Sequence, residues 1–128
     1  METKKLKILI ADDEERIVSL VADFLRAAGY ETVTAADGAE ALEKFRSEGD
    51  FSLVLLDIMM PEIDGWEVCR EIRKESSVPI IMLTARAEEF DQLMGFESGA
   101  DEYVTKPFSP AVLVKRVTAL IRRAQKSD

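Results

Sequence analysis

Short apolar runs alternate along the chain with stretches in which apolar side chains recur every three or four positions. The first run, Leu6 to Ala11, predicts a strand. Behind it Ile17, Leu20, Val21, Phe24, Leu25 and Ala28 keep helical spacing, which predicts one apolar face. Gly29 then stops the helix as glycine commonly does. Glu31 to Ala35 predicts a second strand, and Gly38, Ala41, Leu42 and Phe45 mark a second helix ending near Gly49. Phe51 to Leu56 predicts the third strand, Gly65 to Lys74 the third helix and Val78 to Leu83 the fourth strand. Pro79 falls at a strand start, where a missing amide is tolerated. A helix over Glu88 to Ser98 closed by Gly99, a brief strand from Tyr103 to Thr105 and a last helix complete the pattern. Ser109 supplies an N-cap and Pro110 a first-turn proline, and Leu113, Val117, Leu120, Ile121 and Ala124 share one helical face.

The first, third and fourth strands are apolar nearly throughout instead of alternating, as in parallel strands covered on both faces. With right-handed crossovers through the helices, this predicts a doubly wound five-stranded parallel α/β sheet with helices on both faces. One domain over residues 1–124 accounts for the pattern, and polar Gln125 to Asp128 reads as a free tail or the start of a linker.

Composition changes the picture in three places. A net charge of −8, with 25 acidic residues against 17 basic, argues against a nucleic-acid surface on this domain. The chain has no histidine, which removes His-based acid–base catalysis, Ser-His-Asp triads and His metal ligands together. Its single cysteine, Cys69, has no partner for an internal disulfide, so a reducing cytoplasm is expected and the residue reads as packing. No apolar stretch approaches the roughly 20 residues of a membrane helix, and the start of the chain lacks the apolar run of a signal peptide.

In open α/β sheets, ligands bind beyond the carboxyl ends of the strands. There the pattern puts Asp12-Asp13-Glu14-Glu15 after the first strand, Asp57 after the third, Thr84-Ala85 after the fourth and Lys106-Pro107 after the fifth. Carboxylates brought together repel, and each raises the cost of ionising its neighbour. A hard divalent cation relieves that repulsion, and few carboxylates with several waters suit magnesium. A carboxylate beside such an ion can attack phosphorus to become an acyl phosphate. Lys106 can pair with one phosphoryl oxygen while the Thr84 hydroxyl donates to another. Each residue alone has a plainer reading. The acids could favour the positive end of a helix, Asp57 could end a turn, and Lys106-Pro107 could be loop punctuation. Thr84 could satisfy helix amides. It is their convergence on one edge that favours the chemical reading.

Asp12-Asp13, Leu56-Asp57-Ile58-Met59-Met60-Pro61, Asp64-Gly65, Thr84-Ala85 and Lys106-Pro107-Phe108 closely resemble the receiver domain of bacterial two-component response regulators, from about Lys7 to Arg123. The resemblance implies strand order 2-1-3-4-5, Asp57 as phosphoacceptor, Asp13 as a direct magnesium ligand and Asp12 as one acting mainly through water. It adds the backbone carbonyl of Met59 to the metal's ligands and implies a cis bond before Pro107. Thr84 and Tyr103 are then a switch pair, although Tyr103 could also be a static aromatic on a short strand. The implied donor is a phosphohistidine on a sensor histidine kinase, and the implied role is signalling phosphoacceptor, not turnover enzyme.

The last third, Gly99-Ala100-Asp101-Glu102-Tyr103 and Leu120-Ile121-Arg122-Arg123, resembles the subfamily joined to a winged-helix DNA-binding domain. Such receivers dimerise on phosphorylation through the helix expected over 88–98, the last strand and the last helix, with Asp101, Glu102, Arg116 and Arg123 at charged positions. One pair usual there falls here on Gln92 and Val112, which form no salt bridge. A stand-alone receiver acting by protein–protein interaction is the alternative within this resemblance, and two other classes fit less well. A magnesium phosphohydrolase wants a second acid–base group beside its nucleophile, where Asp57 is followed by Ile58-Met59-Met60-Pro61. A flavin carrier wants a glycine- and hydroxyl-rich phosphate loop where this chain has four acids.

Overall fold

The computed structural model describes residues 5–85 and 99–126. Five strands, β1 (Lys7–Ala11), β2 (Glu31–Ala35), β3 (Leu53–Asp57), β4 (Ile80–Thr84) and β5 (Glu102–Thr105), form one sheet in the order β2-β1-β3-β4-β5. Every neighbouring pair is parallel, as the unbroken apolar runs predict. Helices α1 (Glu15–Ala27), α2 (Gly38–Glu48) and α3 (Gly65–Arg73) and a C-terminal helix (Pro110–Lys126) connect and cover it. The helix expected over 88–98 lies outside the described residues.

Successive strand side chains point to opposite faces, so β1, β3 and β4 feed two cores. Leu9, Val54, Leu56 and Met82 pack towards α2 and α3, against Phe45 and Ile72. Ile8, Ile10, Leu55 and Leu83 pack towards α1 and the C-terminal helix, against Leu25 and Val117. Leu55 is fully buried, and truncating such a side chain to alanine costs about 2–5 kcal/mol. Among the described residues no helix is long and apolar enough to cross a membrane.

Local signals set the helix ends. Asp37 caps α2 by accepting from the amide of Glu40 (2.8 Å), and Asp64 caps α3 by accepting from that of Glu67 (3.0 Å). Ser109 caps the C-terminal helix through Val112 N–H (3.3 Å) with Pro110 first inside it, as its sequence predicts. Cys69 is buried in the core, as expected of a packing residue.

The apolar face of α1 differs from its expectation. Val21, Ala22 and Leu25 are buried, whereas Leu20 is 45% exposed, Phe24 is 40% exposed and Ala28 is a surface residue just past the helix end. An apolar stripe this wide exceeds the arc that one sheet face covers. The buried arc is turned towards Ala22, leaving Leu20 and Phe24 on its rim. The C-terminal helix continues through Lys126, beyond the Ala124 at which the apolar spacing stops.

Candidate functional site

The polar residues that close the apolar runs lie at the carboxyl ends of β1, β3, β4 and β5. Asp57 and Thr84 are the last residues of β3 and β4, still within the ladder and buried. Asp57 is in register with Leu83, and Ile58 N–H donates to the Leu83 carbonyl (3.0 Å). The backbone that carries Asp57 is therefore held by the sheet, not by a loop. Asp12 follows β1 directly; it is 1% exposed, and its N–H donates to the Ala35 carbonyl (3.2 Å). Beneath Asp57, Gly65 opens α3 so closely that a Cβ there would stand 2.4 Å from the Asp57 carbonyl oxygen.

Carboxylate oxygens of Asp12, Asp13 and Asp57 all lie within 4.8 Å of one another, with Asp13 facing solvent. Among the described residues one cation answers them. The Lys106 ammonium sits 2.9 Å from Asp12 Oδ2, 3.4 Å from Glu14 Oε1 and 3.5 Å from Asp57 Oδ1. Its backbone N–H donates to the Thr84 carbonyl (2.6 Å), and the bond to Pro107 is cis, as expected. Burial, then the charge of Asp12, pushes the Asp57 carboxyl from 3.8 up to about 7, against the opposing pull of Lys106 and the Met59 N–H. Burial opposes the Lys106 charge, but the hydrogen bond to Asp12 and the charges of Asp57, Asp12 and Glu14 outweigh it and raise its pKa.

Three crowded carboxylates, among them buried Asp57 with its pKa raised, form a set of hard oxygen donors with more negative charge than the one cation among the described residues offsets. That set fits a small divalent cation, whose ligands are oxygens and whose charge lowers the cost of ionising all three acids. Met59 stands on the rim, 58% exposed, with its N–H 3.4 Å from Asp57 Oδ1. Thr84 is buried beside the cluster, and Tyr103, paired with Met82 across β4 and β5, is half-buried against the α2–α3 core.

An open parallel sheet with an acid-lined, cation-competent pocket at its carboxyl edge and a lysine just beyond the last strand defines a class of doubly wound α/β domains. Residues 8–118 match the response regulator receiver domain family, and the chain belongs to it. It is similar to the probable transcriptional regulator ycf27 of Pyropia yezoensis, 54% identical over 126 residues, which are 98% of this chain and 51% of that protein. The alkaline phosphatase synthesis transcriptional regulatory protein PhoP of Bacillus subtilis is 50% identical over 120 residues, 93% of this chain and 50% of its own length. The chain spans about half the length of the curated relatives it matches. The solved CheY-like receiver domain of Methanospirillum hungatei JF-1 superposes with a TM-score of 0.92 at 28% identity, over 98% of this chain and all of that one.

The charged residues named for a dimer face occupy the other end of β5 and the C-terminal helix. Glu102 and Arg116 pair within the chain (2.5 Å). Asp101 is held by Arg73 (2.7 Å), while Arg123 is exposed in the last helical turns. Val112 is 52% exposed, and Gln92 lies outside the described residues. Sequence reasoning gave no role to Glu14, whose only signal was membership of an acidic run, or to Arg73, which had none.

Proposed function

We propose that this receiver domain is a phosphorylation switch in which Asp57 takes a phosphoryl group from the phosphohistidine of a sensor histidine kinase. The observation that supports it is a buried carboxylate at the end of β3, with two further carboxylates within 4.8 Å and an ammonium at 3.5 Å. Magnesium would be held by Asp13 directly, by Asp12 mainly through water, and by Asp57 and the Met59 carbonyl, and there it would offset the charge gathered on the acids and the incoming phosphoryl oxygens. An Asp57 oxygen forms the O–P bond as the donor's N–P bond breaks, and the electron pair returns to the imidazole. Lys106 pairs with one phosphoryl oxygen and the Thr84 hydroxyl donates to another. Moving that hydroxyl towards the phosphoryl group opens space into which the Tyr103 ring turns. The charge at one end of the sheet thereby biases the surface around β5.

In this reading phosphorylation favours a homodimer through the segment 88–98, β5 and the C-terminal helix, with Asp101, Glu102, Arg116 and Arg123 on its face. The receiver spans residues 1–124, and residues 125–128 lead towards a winged-helix output domain that controls transcription in the cytoplasm. The receiver itself takes no part in contacting nucleic acid or membrane. The test is intact mass after incubation with magnesium and acetyl phosphate, beside Asp57→Asn and a chelated sample, followed by size-exclusion. One added phosphoryl group in the parent alone, with a shift to the dimer, is expected. No adduct, together with failure to bind beryllofluoride, overturns the reading.

A further inference from the structure

At the amino end of the sheet, Arg73 in the last turn of α3 donates from all three guanidinium nitrogens. Nε reaches the Gly99 carbonyl (2.9 Å), Nη1 the carbonyls of Val78 (2.6 Å) and Ser76 (3.3 Å), and Nη2 Asp101 Oδ2 (2.7 Å). Gly99 admits this approach: its φ is +98°, and a Cβ there would lie 2.9 Å from Arg73 Cγ. Asp101 is gripped a second time. Its Oδ2 also accepts from Ile80 N–H (2.8 Å), and its own N–H donates to the Ile80 carbonyl (2.9 Å). Both side-chain bonds fall on Oδ2, and the side chain keeps 40% of its surface exposed.

We propose that Arg73 is a positioning residue for self-association, fixing Asp101 so that its carboxylate meets Arg123 of a second copy of this chain. The inference rests on the dimer reading above and adds to it a residue that never touches the second copy. Asp101 lies at the amino end of β5 and Arg123 near the end of the C-terminal helix, which runs back from the site. Both charges therefore sit at the same end of the domain, and a two-fold axis pairs them reciprocally. An alternative is a latch, in which Arg73 must release Asp101 before the second copy can bind. Were Asp101 to swing away, the first amide of β4 would lose its acceptor, a costly loss, and Arg73 is kept from swinging away by its three other bonds. The grip therefore stays closed. A carboxylate already ordered gives up less freedom on pairing, and one ordered side chain changes affinity by roughly 3- to 10-fold.

Sedimentation equilibrium of the magnesium- and beryllofluoride-loaded chain tests this with the parent, R73Q, D101N and the double variant. R73Q is expected to raise the dimer Kd by roughly tenfold, counting both copies. D101N should raise it at least as much, and the double variant no further than D101N alone. Independent effects that multiply would indicate that Arg73 acts only on fold stability and overturn the proposal, as would an R73Q dimer as tight as the parent's or tighter. Uptake of beryllofluoride reports an intact Asp57 site; should R73Q fail that check, R73K, which keeps the charge and loses the fork, carries the same comparison. A parent that stays monomeric overturns the dimer reading and this one with it, whereas a parent that dimerises indifferently to residue 73 overturns this one alone.

Discussion

At the carboxyl end of the sheet one ammonium faces Asp12, Glu14 and Asp57, with Asp13 close by. At the amino end one guanidinium faces three backbone carbonyls and the single carboxylate of Asp101. Both clusters join segments far apart in sequence, yet their charge balance is opposite. Among the described residues the first holds more negative charge than its cation answers, and burial raises the pKa of Asp57. The second matches donors to acceptors around one side chain. A cluster left short of positive charge suits the arrival of a cation or phosphoryl group, whereas a matched cluster holds its elements, and with them Asp101, in place. In the proposed reading the first carries the chemistry and the second fixes a surface.

The comparison breaks most sharply at Asp57 itself. Asp57→Asn should abolish phosphoryl uptake outright, and Lys106→Ala should slow it by about 10²–10³-fold, both read by intact mass over time with acetyl phosphate and magnesium. Stability follows next. The carboxyl rises from 3.8 to about 7 on folding, so between about pH 4 and 7 the native state holds more protons than the unfolded chain. Metal-free stability therefore falls as pH rises through that window and levels off above it. Asp57→Asn lacks this penalty, so at pH 8 without metal it should be the more stable by roughly 2–4 kcal/mol, the gap closing near pH 4. Urea melts across pH check it, and saturating magnesium should shrink the gap for the parent.

Arg73→Gln should cost about 1–3 kcal/mol because it strands part-buried acceptors, with little change between pH 6 and 9. A pH slope like that of Asp57 would show the two clusters to be alike after all. Least affected should be Asp23→Asn, which removes an exposed pair with Arg26 (2.6 Å). A change below about 1 kcal/mol is expected in the same melts.

Much of this was legible in the sequence because apolar runs mark buried parallel strands and polar residues mark where those runs stop. The strands' limits shifted by a residue or two. Phe51, Ser52, Val78 and Pro79 extend the runs but precede the ladder, while polar Asp57 and Thr84 belong to it. The stop signal is side-chain polarity, and the ladder is made by the backbone. The site could be assembled because its members end strands or follow close behind them, so topology brings Lys106 to Asp12 across 94 positions. Arg73 gives no such clue. Its partners are mostly carbonyls, which every residue carries, and on the sequence it looks like any cation closing an amphipathic helix. The burial of α1 was misjudged at Leu20 and Phe24 because periodicity gives the width of a stripe but not which arc of it meets the sheet.

The close seat of Gly65 under the Asp57 carbonyl makes the pocket a vice with one immovable jaw. The β3 wall has no slack, since even one methyl group at residue 65 would collide with main chain rather than with a side chain able to swing aside. In the switch proposed above, a displacement that follows a change of charge at Asp57 would be taken up by the opposite jaw, which carries Thr84 and Lys106. Under the proposed switch, a signal born at the centre of the sheet would be sent in one direction, towards β5, because on the other side main chain already meets main chain.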